Sequence, residues 1–426
     1  PTHICFKNMK LIKNFSKYSF FGLFLYITLI LGFLYGENLN FGSYYDWTHV
    51  YKIPIVDFSL NFKDTLLSYD QYGQRHSPIY IIFLSIFLDL GFDFDTIRII
   101  HLHLCLSLIL IFYNCLKLVF DNIKLESLQL LSFVIFLSPT FRSLSIWPDS
   151  RLPGLVFFTL SIYFFLKFLK SGDLKYVWFN SIALIISAYI SPNFSLFAIY
   201  FYFFFIKKLK IKDLIPLIIF NFIVSIPMFY YLFVLKIFFI TAGQTVGLNG
   251  TRIGISFNFA DKIMIISSII LFHLFPVLLF KNFYQDFLIF FKKYFFKTLV
   301  ALSFLIYFFN YQIEFTGGGV FFQLSHMLFN NDYLFFVVCL FSISFLLYCS
   351  KLSINNLSLI LLIIISNLQN SIYHKYYEPM ILIIFFILFN NMNLKLFLKK
   401  KNSMIYLYIF SSGYILLRLF KNNFLV

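Results

Sequence analysis

Asp46 stands in the run Tyr44-Tyr45-Asp46-Trp47, a carboxylate set among aromatic rings. Such a carboxylate suits a general base acting on a hydroxyl or amine, a role worth about 10²–10⁴ in rate; it equally suits a solvated loop. Arg75-His76-Ser77-Pro78 places a cation and an imidazole just before a proline that favours the first turn of a helix. Arg and His so placed match the charge and donors that a phosphate needs. Arg98 opens a long apolar run, where a guanidinium meets a bound phosphate or snorkels to headgroups. Asp149 and Arg151 flank Ser150 in the turn after Trp147-Pro148, with Arg142 a little upstream. They pair with each other or serve a ligand, since charges at membrane depth are costly and tend to be functional. The densest late cluster is His374-Lys375-Tyr376-Tyr377-Glu378-Pro379, which suits a lipid phosphate or an interfacial Tyr-Lys belt.

Other motifs carry less. Gly317-Gly318-Gly319 marks a flexible or closely approached backbone, followed by Gln323 and His326, but no Lys-Ser/Thr follows to make it a nucleotide loop. His326 has no second His or Cys at metal-ligand spacing, so no metal ligand is assigned. Asn249-Gly250-Thr251 fits a glycosylation acceptor pattern that is common by chance. Cys5, Cys105, Cys115, Cys339 and Cys349 lie mostly inside apolar runs and read as small hydrophobes.

The elements that position these residues are set by composition. Apolar residues make up 60% of the 426 and charged residues 12%, against roughly 25% charged in a soluble domain. Apolar runs of about 17–25 residues, the length that crosses ~30 Å of hydrocarbon, recur from end to end. The expectation is an all-α polytopic membrane protein: one integral-membrane domain over 1–426, with 1–17 cytoplasmic, 36–96 an external loop carrying juxtamembrane helices, and 97–426 a helical bundle. The net charge of +16 does not indicate nucleic acid, because the lysines cluster between apolar runs instead of lining an aromatic-interleaved face. Such clusters are cytoplasmic anchors under the positive-inside rule.

Lys7, Lys10, Lys13 and Lys17 place the N-terminus inside, before a first span at 18–35. Met9-Lys10 makes a natural start, so residues 1–8 read as an upstream extension. No small-residue cleavage site follows the first span, which reads as a retained anchor. The run 78–90 is too short to cross and reads as a surface or re-entrant helix. Spans are then expected at 97–119, 127–146 and 153–169. A hairpin broken at Ser191-Pro192-Asn193 lies between two lysine clusters. Further spans fall at 214–238, 263–280, 298–313, 333–350, 353–368, 379–391 and 403–420, about thirteen in all. This threading puts most lysines and arginines inside and most acids outside. Any site is then expected where the first loop, the 147–151 turn, the 239–262 and 314–331 loops and the 371–378 turn meet the external side.

In order of parts the chain resembles the integral-membrane glycosyltransferases of the GT-C fold, in the bacterial branch of protein mannosyltransferase-like and aminoarabinose transferase-like proteins. Asp46 stands where that branch has a catalytic acid after the first span. His76-Ser77-Pro78-Ile79-Tyr80 is similar to its surface-helix motif, and Arg98 to the arginine opening its second span. Ser138-Pro139 through Arg142 to Trp147-Pro148-Asp149 resembles its second external turn. Lys375-Tyr376-Tyr377-Glu378-Pro379 is similar to its late Arg/Lys-Tyr-x-x-Pro element. The chain departs in having Trp47 rather than a second acid after Asp46, and Ser77 in place of one proline.

The resemblance implies transfer of a sugar from a polyprenyl-phosphate-linked donor at the external leaflet, with inversion. Asp46 would be the catalytic base. Arg75, His76, Arg98, Arg151, Lys375 and Tyr376 would bind the donor phosphate. Asp57, Asp149, Glu378 and His326 would supply a second acid or contact the acceptor or sugar. A divalent metal would need Asp149 to approach Asp46. The acceptor is a lipid, a glycan or a protein, the surroundings are membrane lipids, and a bacterial inner membrane with an outward-facing site fits best. Two other classes remain: a transporter or flippase of lipid-linked oligosaccharide, which places ionisable residues inside the bundle, and an oligosaccharide polymerase or ligase, which carries a large late external loop.

Overall fold

The computed structural model describes residues 17–73, 76–237, 256–312, 317–389, 392–400 and 402–424. Among them the chain is helical throughout, and the β pairing is limited to an isolated bridge between Gly317 and Ile372. Arg75, the Asn249-Gly250-Thr251 pattern, Cys5 and the extension at 1–8 lie outside the described residues.

α1 (Lys17–Leu34) leads into a loop that is itself helical in short pieces, among them Phe41–Tyr45, a π-helical turn Asp46–Tyr51 and α2 (Lys52–Leu60). The short apolar run becomes α3 (Ile79–Asp89), packed against α2. α4 (Phe94–Val119) is capped by Asp93, whose side chain accepts the Thr96 N–H at 2.8 Å. Next come α5 (Leu125–Phe133), a 3-10 turn, and α6 (Pro139–Ile146), with a bend of 64° between the two halves. Ser138 and Pro139 cause the break: the Ser138 hydroxyl accepts the Phe141 N–H at 3.0 Å to start a new helix, and proline has no N–H to continue the old one.

α7 (Arg151–Ser171), α8 (Lys175–Ile190) and α9 (Ala198–Lys208) follow. The expected hairpin break falls at Ser191, and a 3-10 turn over Pro192–Phe197 makes its tip. That tip presses on α7 at Gly154, where a β-carbon would lie 2.6 Å from the Ser191 β-carbon; only glycine admits this approach. α10 (Ile211–Phe229) is almost unburied, with Ile215, Ile219, Phe222 and Ile226 exposed.

α11 (Phe259–Leu278) is the central helix of the second half and packs on α12 (Lys281–Phe308), α13 (Gly319–Phe329) and α14 (Tyr333–Ser350). The stretch read as a span at 298–313 is the second half of the continuous α12, 28 residues long, or roughly 42 Å at 1.5 Å per residue. Its lysine-bearing first half is helical because Phe283 and Phe287 recur at helical spacing and pack against Phe345 and Tyr348.

α15 (Ile354–Ile365), α16 (Met380–Ile387) and α17 (Ser403–Phe424) complete the bundle. α16 has only 8 residues, all buried, far short of the ~20 that a straight crossing takes. Among the described residues six helices are long and apolar enough to cross a membrane, or seven if the bent α5–α6 pair is one span, and five shorter apolar helices accompany them. The architecture is that of a helical integral membrane protein. The connections on the lysine-rich side also meet, as Lys170 reaches Asp121 at 2.6 Å. Cys105, Cys115, Cys339 and Cys349 are buried and unbridged.

Candidate active site

Four connections distant in sequence converge. The first loop is fixed by Arg142 of α6, whose Nε and Nη2 each donate to the Glu37 carboxylate at 2.6 Å. Trp147 Nε1 adds a bond to the Glu37 carbonyl at 2.9 Å, and Asn40 N–H donates to the Ser143 hydroxyl at 2.9 Å. Asp46 is thereby held at the start of the π-helical turn, a local widening that recurs at functional sites.

The 366–378 connection is fixed from the other side. The buried Lys262 of α11 donates to the carbonyls of Asn367 at 2.8 Å and Gln369 at 3.0 Å. Gly318 N–H donates to the Ile372 carbonyl at 2.9 Å, and Ile372 N–H to the Tyr311 hydroxyl at 3.1 Å. The triple glycine makes this contact. All three residues have positive φ, and a β-carbon on Gly317 would sit 2.5 Å from the Ile372 carbonyl oxygen.

Between these clamps Lys375 Nζ donates to Asp46 Oδ2 at 2.9 Å. Beside them Arg151 Nη1 meets Asp149 Oδ2 at 3.1 Å, and the Arg151 N–H donates to Asp149 Oδ1 at 2.8 Å. The Arg151 guanidinium stacks on the Tyr376 ring at 4.6 Å, and the Tyr376 hydroxyl donates to Gln369 Oε1 at 2.6 Å. Tyr51 closes the back: its hydroxyl accepts the Ser150 N–H at 3.0 Å.

Charges are balanced within this group, and the balance sets the protonation states. Burial pushes the Asp149 carboxyl up, but Arg151, His76 and Lys375 together hold it below the ordinary aspartate value. Burial also pulls Lys375 down, and the Asp46 carboxylate more than restores it, so its ammonium is held above the usual lysine value. Glu378 goes the other way: burial raises its carboxyl despite the Thr140 hydroxyl that donates to it at 2.9 Å. Arg151, Lys375, Tyr376 and Glu378 line one narrow cleft, partly open to solvent, whose far wall is the hairpin tip at Ser191 and Asn193.

The structure therefore brings together Asp46, Asp149, Arg151, Lys375, Tyr376 and Glu378, with the buried His76 close enough to act on Asp149. Others sit elsewhere. Arg98 lies between the Phe33 and Trp147 rings, at 4.6 and 3.9 Å, and bonds Asp95 at 2.8 Å. Asp57 accepts the Tyr72 hydroxyl at 2.6 Å, and His326 pairs with Asp332 at 2.7 Å. Among the described residues no group of three or more His, Cys, Asp or Glu side chains is placed to hold a metal ion. Asp46 and Asp149 are each ion-paired, with Lys375 and Arg151 respectively.

Sequence reasoning missed Lys262, Gln369, Thr140 and Tyr51. Lys262 had a signal, a lysine beside Asp261 at the start of an apolar run; the others are ordinary residue types whose roles come only from packing.

Fold and site define a helical membrane protein with a buried, charge-balanced polar centre at the meeting point of its loops. No protein-family model matches the chain, and neither does any curated protein or solved structure.

Proposed function

We propose that the chain is a membrane glycosyltransferase that moves a sugar from a polyprenyl-phosphate-linked donor to an acceptor, with inversion. The observation that carries the reading is the Asp46–Lys375 pair beside Arg151 at a cleft between membrane helices. A general base and two phosphate-binding cations are what this displacement requires. The acceptor oxygen attacks the anomeric carbon, and the bond from that carbon to the phosphate oxygen breaks. The bonding pair leaves with the phosphate, and the acceptor proton passes to Asp46.

Lys375 has two uses in this scheme. Without donor its ammonium pairs with the Asp46 carboxylate. When the phosphate arrives, Lys375 turns to it with Arg151, and the Asp46 carboxylate is free to take the acceptor proton. Tyr376 holds the guanidinium plane and His76 adds a donor below the phosphate. The finer topology belongs to the same reading: about thirteen crossings, a cytoplasmic N-terminus, and a site facing the periplasm from a bacterial inner membrane. The shorter apolar helices would then cross as broken pairs.

Binding of tritiated polyprenyl phosphate to the purified protein in detergent tests the site. Lys375→Met and Arg151→Met should each weaken it at least about tenfold, the value of one charge-assisted bond. Unchanged binding in both removes the cleft from donor recognition. One observation favours a second reading: His273, His374, Glu378 and Arg418 form a polar cluster inside the bundle, as transporters do. Movement of labelled lipid-linked sugar between leaflets of reconstituted vesicles, with no transfer, would select the flippase.

A further inference from the structure

The foot of the second half gathers lysines that the site above does not use. α11 ends at Leu278 and α12 begins at Lys281, and the turn between them carries Phe280. A short helix, Met392–Lys399, sets its buried Phe397 edge-on against the Phe280 ring, with 5.8 Å between ring centres. The chain leaving that helix lays Lys400 Nζ 5.2 Å from the centre of the Phe280 ring, just before α17 starts at Ser403. Lys281 and Lys399 are the chain neighbours of Phe280 and Lys400, so three exposed lysines gather at one ring.

Other lysines on this side have counter-ions: Lys170 pairs with Asp121 at 2.6 Å and Lys175 with Asp173 at 2.8 Å. The segments 275–285 and 392–424 hold no Asp or Glu at all. Neither Asp286 of α12 nor Glu126 of α5, the helix on which 392–399 packs, forms an ion pair with the three lysines.

An apolar seam runs away from these lysines between α11 and α17. Phe275 meets Phe410 at 6.5 Å between ring centres. One turn nearer the lysines, Leu279 and Tyr406 follow on the same two helix faces. Phe275, Leu279 and Tyr406 are all exposed. A seam of this kind in a membrane protein takes an amphiphile, with its chain along the rings and its head at the lysines. The head must be a net anion. A phosphodiester meets the ammonium groups, whereas the ammonium of a zwitterionic head would find no carboxylate on these segments.

We propose that an anionic phospholipid binds at the lysine-rich end of the α11–α17 seam. Its phosphate sits among Lys281, Lys399 and Lys400, and an acyl chain runs along Leu279, Tyr406 and Phe275. The site is separate from the Asp46–Lys375 cleft and holds whatever reaction that cleft performs.

The test uses the full-length protein in phosphatidylcholine vesicles. A trace of phosphatidylglycerol or phosphatidylcholine is added, each with a diazirine on its acyl chain, and photolysed. Label should map to peptides 271–280 and 403–410. Phosphatidylglycerol should label them at least about tenfold more than phosphatidylcholine, since each lysine near the surface contributes about fivefold. Changing Lys281, Lys399 and Lys400 together to Gln should bring the two lipids level, and Lys400→Gln alone should remove about fivefold. Removing the same charge at Lys167, Lys207 and Lys208 should leave the preference intact. An unaltered thermal midpoint certifies the fold of each variant, and the single variant guards against failure of the triple. Equal labelling by the two lipids in wild type, label absent from both peptides, or a preference lost equally in the Lys167, Lys207 and Lys208 variant overturns the proposal.

Discussion

Lys375 Nζ and Asp46 Oδ2 lie 2.9 Å apart although 329 positions separate them in the chain. Each comes from a connection pinned by its own clamp, Arg142–Glu37 on one side and Lys262 on the other. The pair therefore reports on the closure of the whole bundle, because neither clamp alone would bring the two side chains together.

The Asp149–Arg151 pair should be structural as well as functional. Removing one partner of a buried pair leaves a charge uncompensated and costs about 3–5 kcal/mol. Arg151→Met is expected to lower the thermal midpoint in detergent clearly, and the double variant with Asp149→Asn to regain part of the loss. A double variant worse than the single would refute the pairing.

Lys262→Met removes both bonds that hold the Asn367 and Gln369 carbonyls. Each buried carbonyl left unsatisfied costs about 1–3 kcal/mol. The midpoint should fall, and polyprenyl phosphate binding should weaken although Lys262 is not placed in the cleft. Unaltered binding would mean that the 366–378 connection keeps its shape without this clamp.

Gly317→Ala forces a β-carbon against the Ile372 carbonyl, at a residue with φ of +72°. The left-handed conformation alone costs an L-residue about 1–2 kcal/mol, and the close contact adds to it. Alanine at Gly73, also left-handed but with nothing near the added carbon, supplies the strain-only comparison. Equal effects at the two positions would show that the contact with Ile372 is not close.

The pH dependence has two opposite parts. The folded-state pKa of Asp149 is lowered, so its stabilisation is present above the unfolded aspartate value and is lost as pH falls through the folded one. Glu378 is raised, so its contribution is full below the unfolded glutamate value and is lost as pH rises through the folded one. Glu378→Gln should therefore gain thermal stability relative to wild type at neutral pH, and the difference should shrink in acid. A difference that does not change with pH would show that Glu378 does not titrate as described.

Much of the fold is legible in the sequence because the hydrocarbon length imposes it. Apolar runs at 97–119, 153–169 and 333–350 became α4, α7 and α14 with boundaries shifted by a few residues. Ser191-Pro192-Asn193 marked a real break because proline lacks the N–H a continuous helix needs, whereas the span expected at 127–146 ran straight through the 64° bend at Ser138-Pro139. Hydropathy marked only the second half of α12, since its lysines hide a face of phenylalanines, and gave no sign that α16 is a helix of 8 residues packed on all sides. The site was legible in part for a different reason. A charge beside an apolar run is costly, so Asp46, Asp149, Arg151 and Lys375 stand out by type. The Asp149–Arg151 pair is local and was within reach of the sequence, but the Asp46–Lys375 pairing is a property of three-dimensional closure, and so is the exclusion of Arg98, whose stacking partner Trp147 lies in another helix's turn. Nothing in a linear reading distinguishes Lys262 as a clamp from a lysine near headgroups.

The most direct test of the central claim is transfer itself. Purified wild type and Asp46→Asn are supplied with radiolabelled polyprenyl-phosphate sugars and a membrane extract as acceptor. The account predicts label in the acceptor fraction for wild type and its loss, by at least about 10²-fold, in an Asp46→Asn protein that still binds polyprenyl phosphate. Equal incorporation by the two proteins, or none by wild type from any donor, would contradict it.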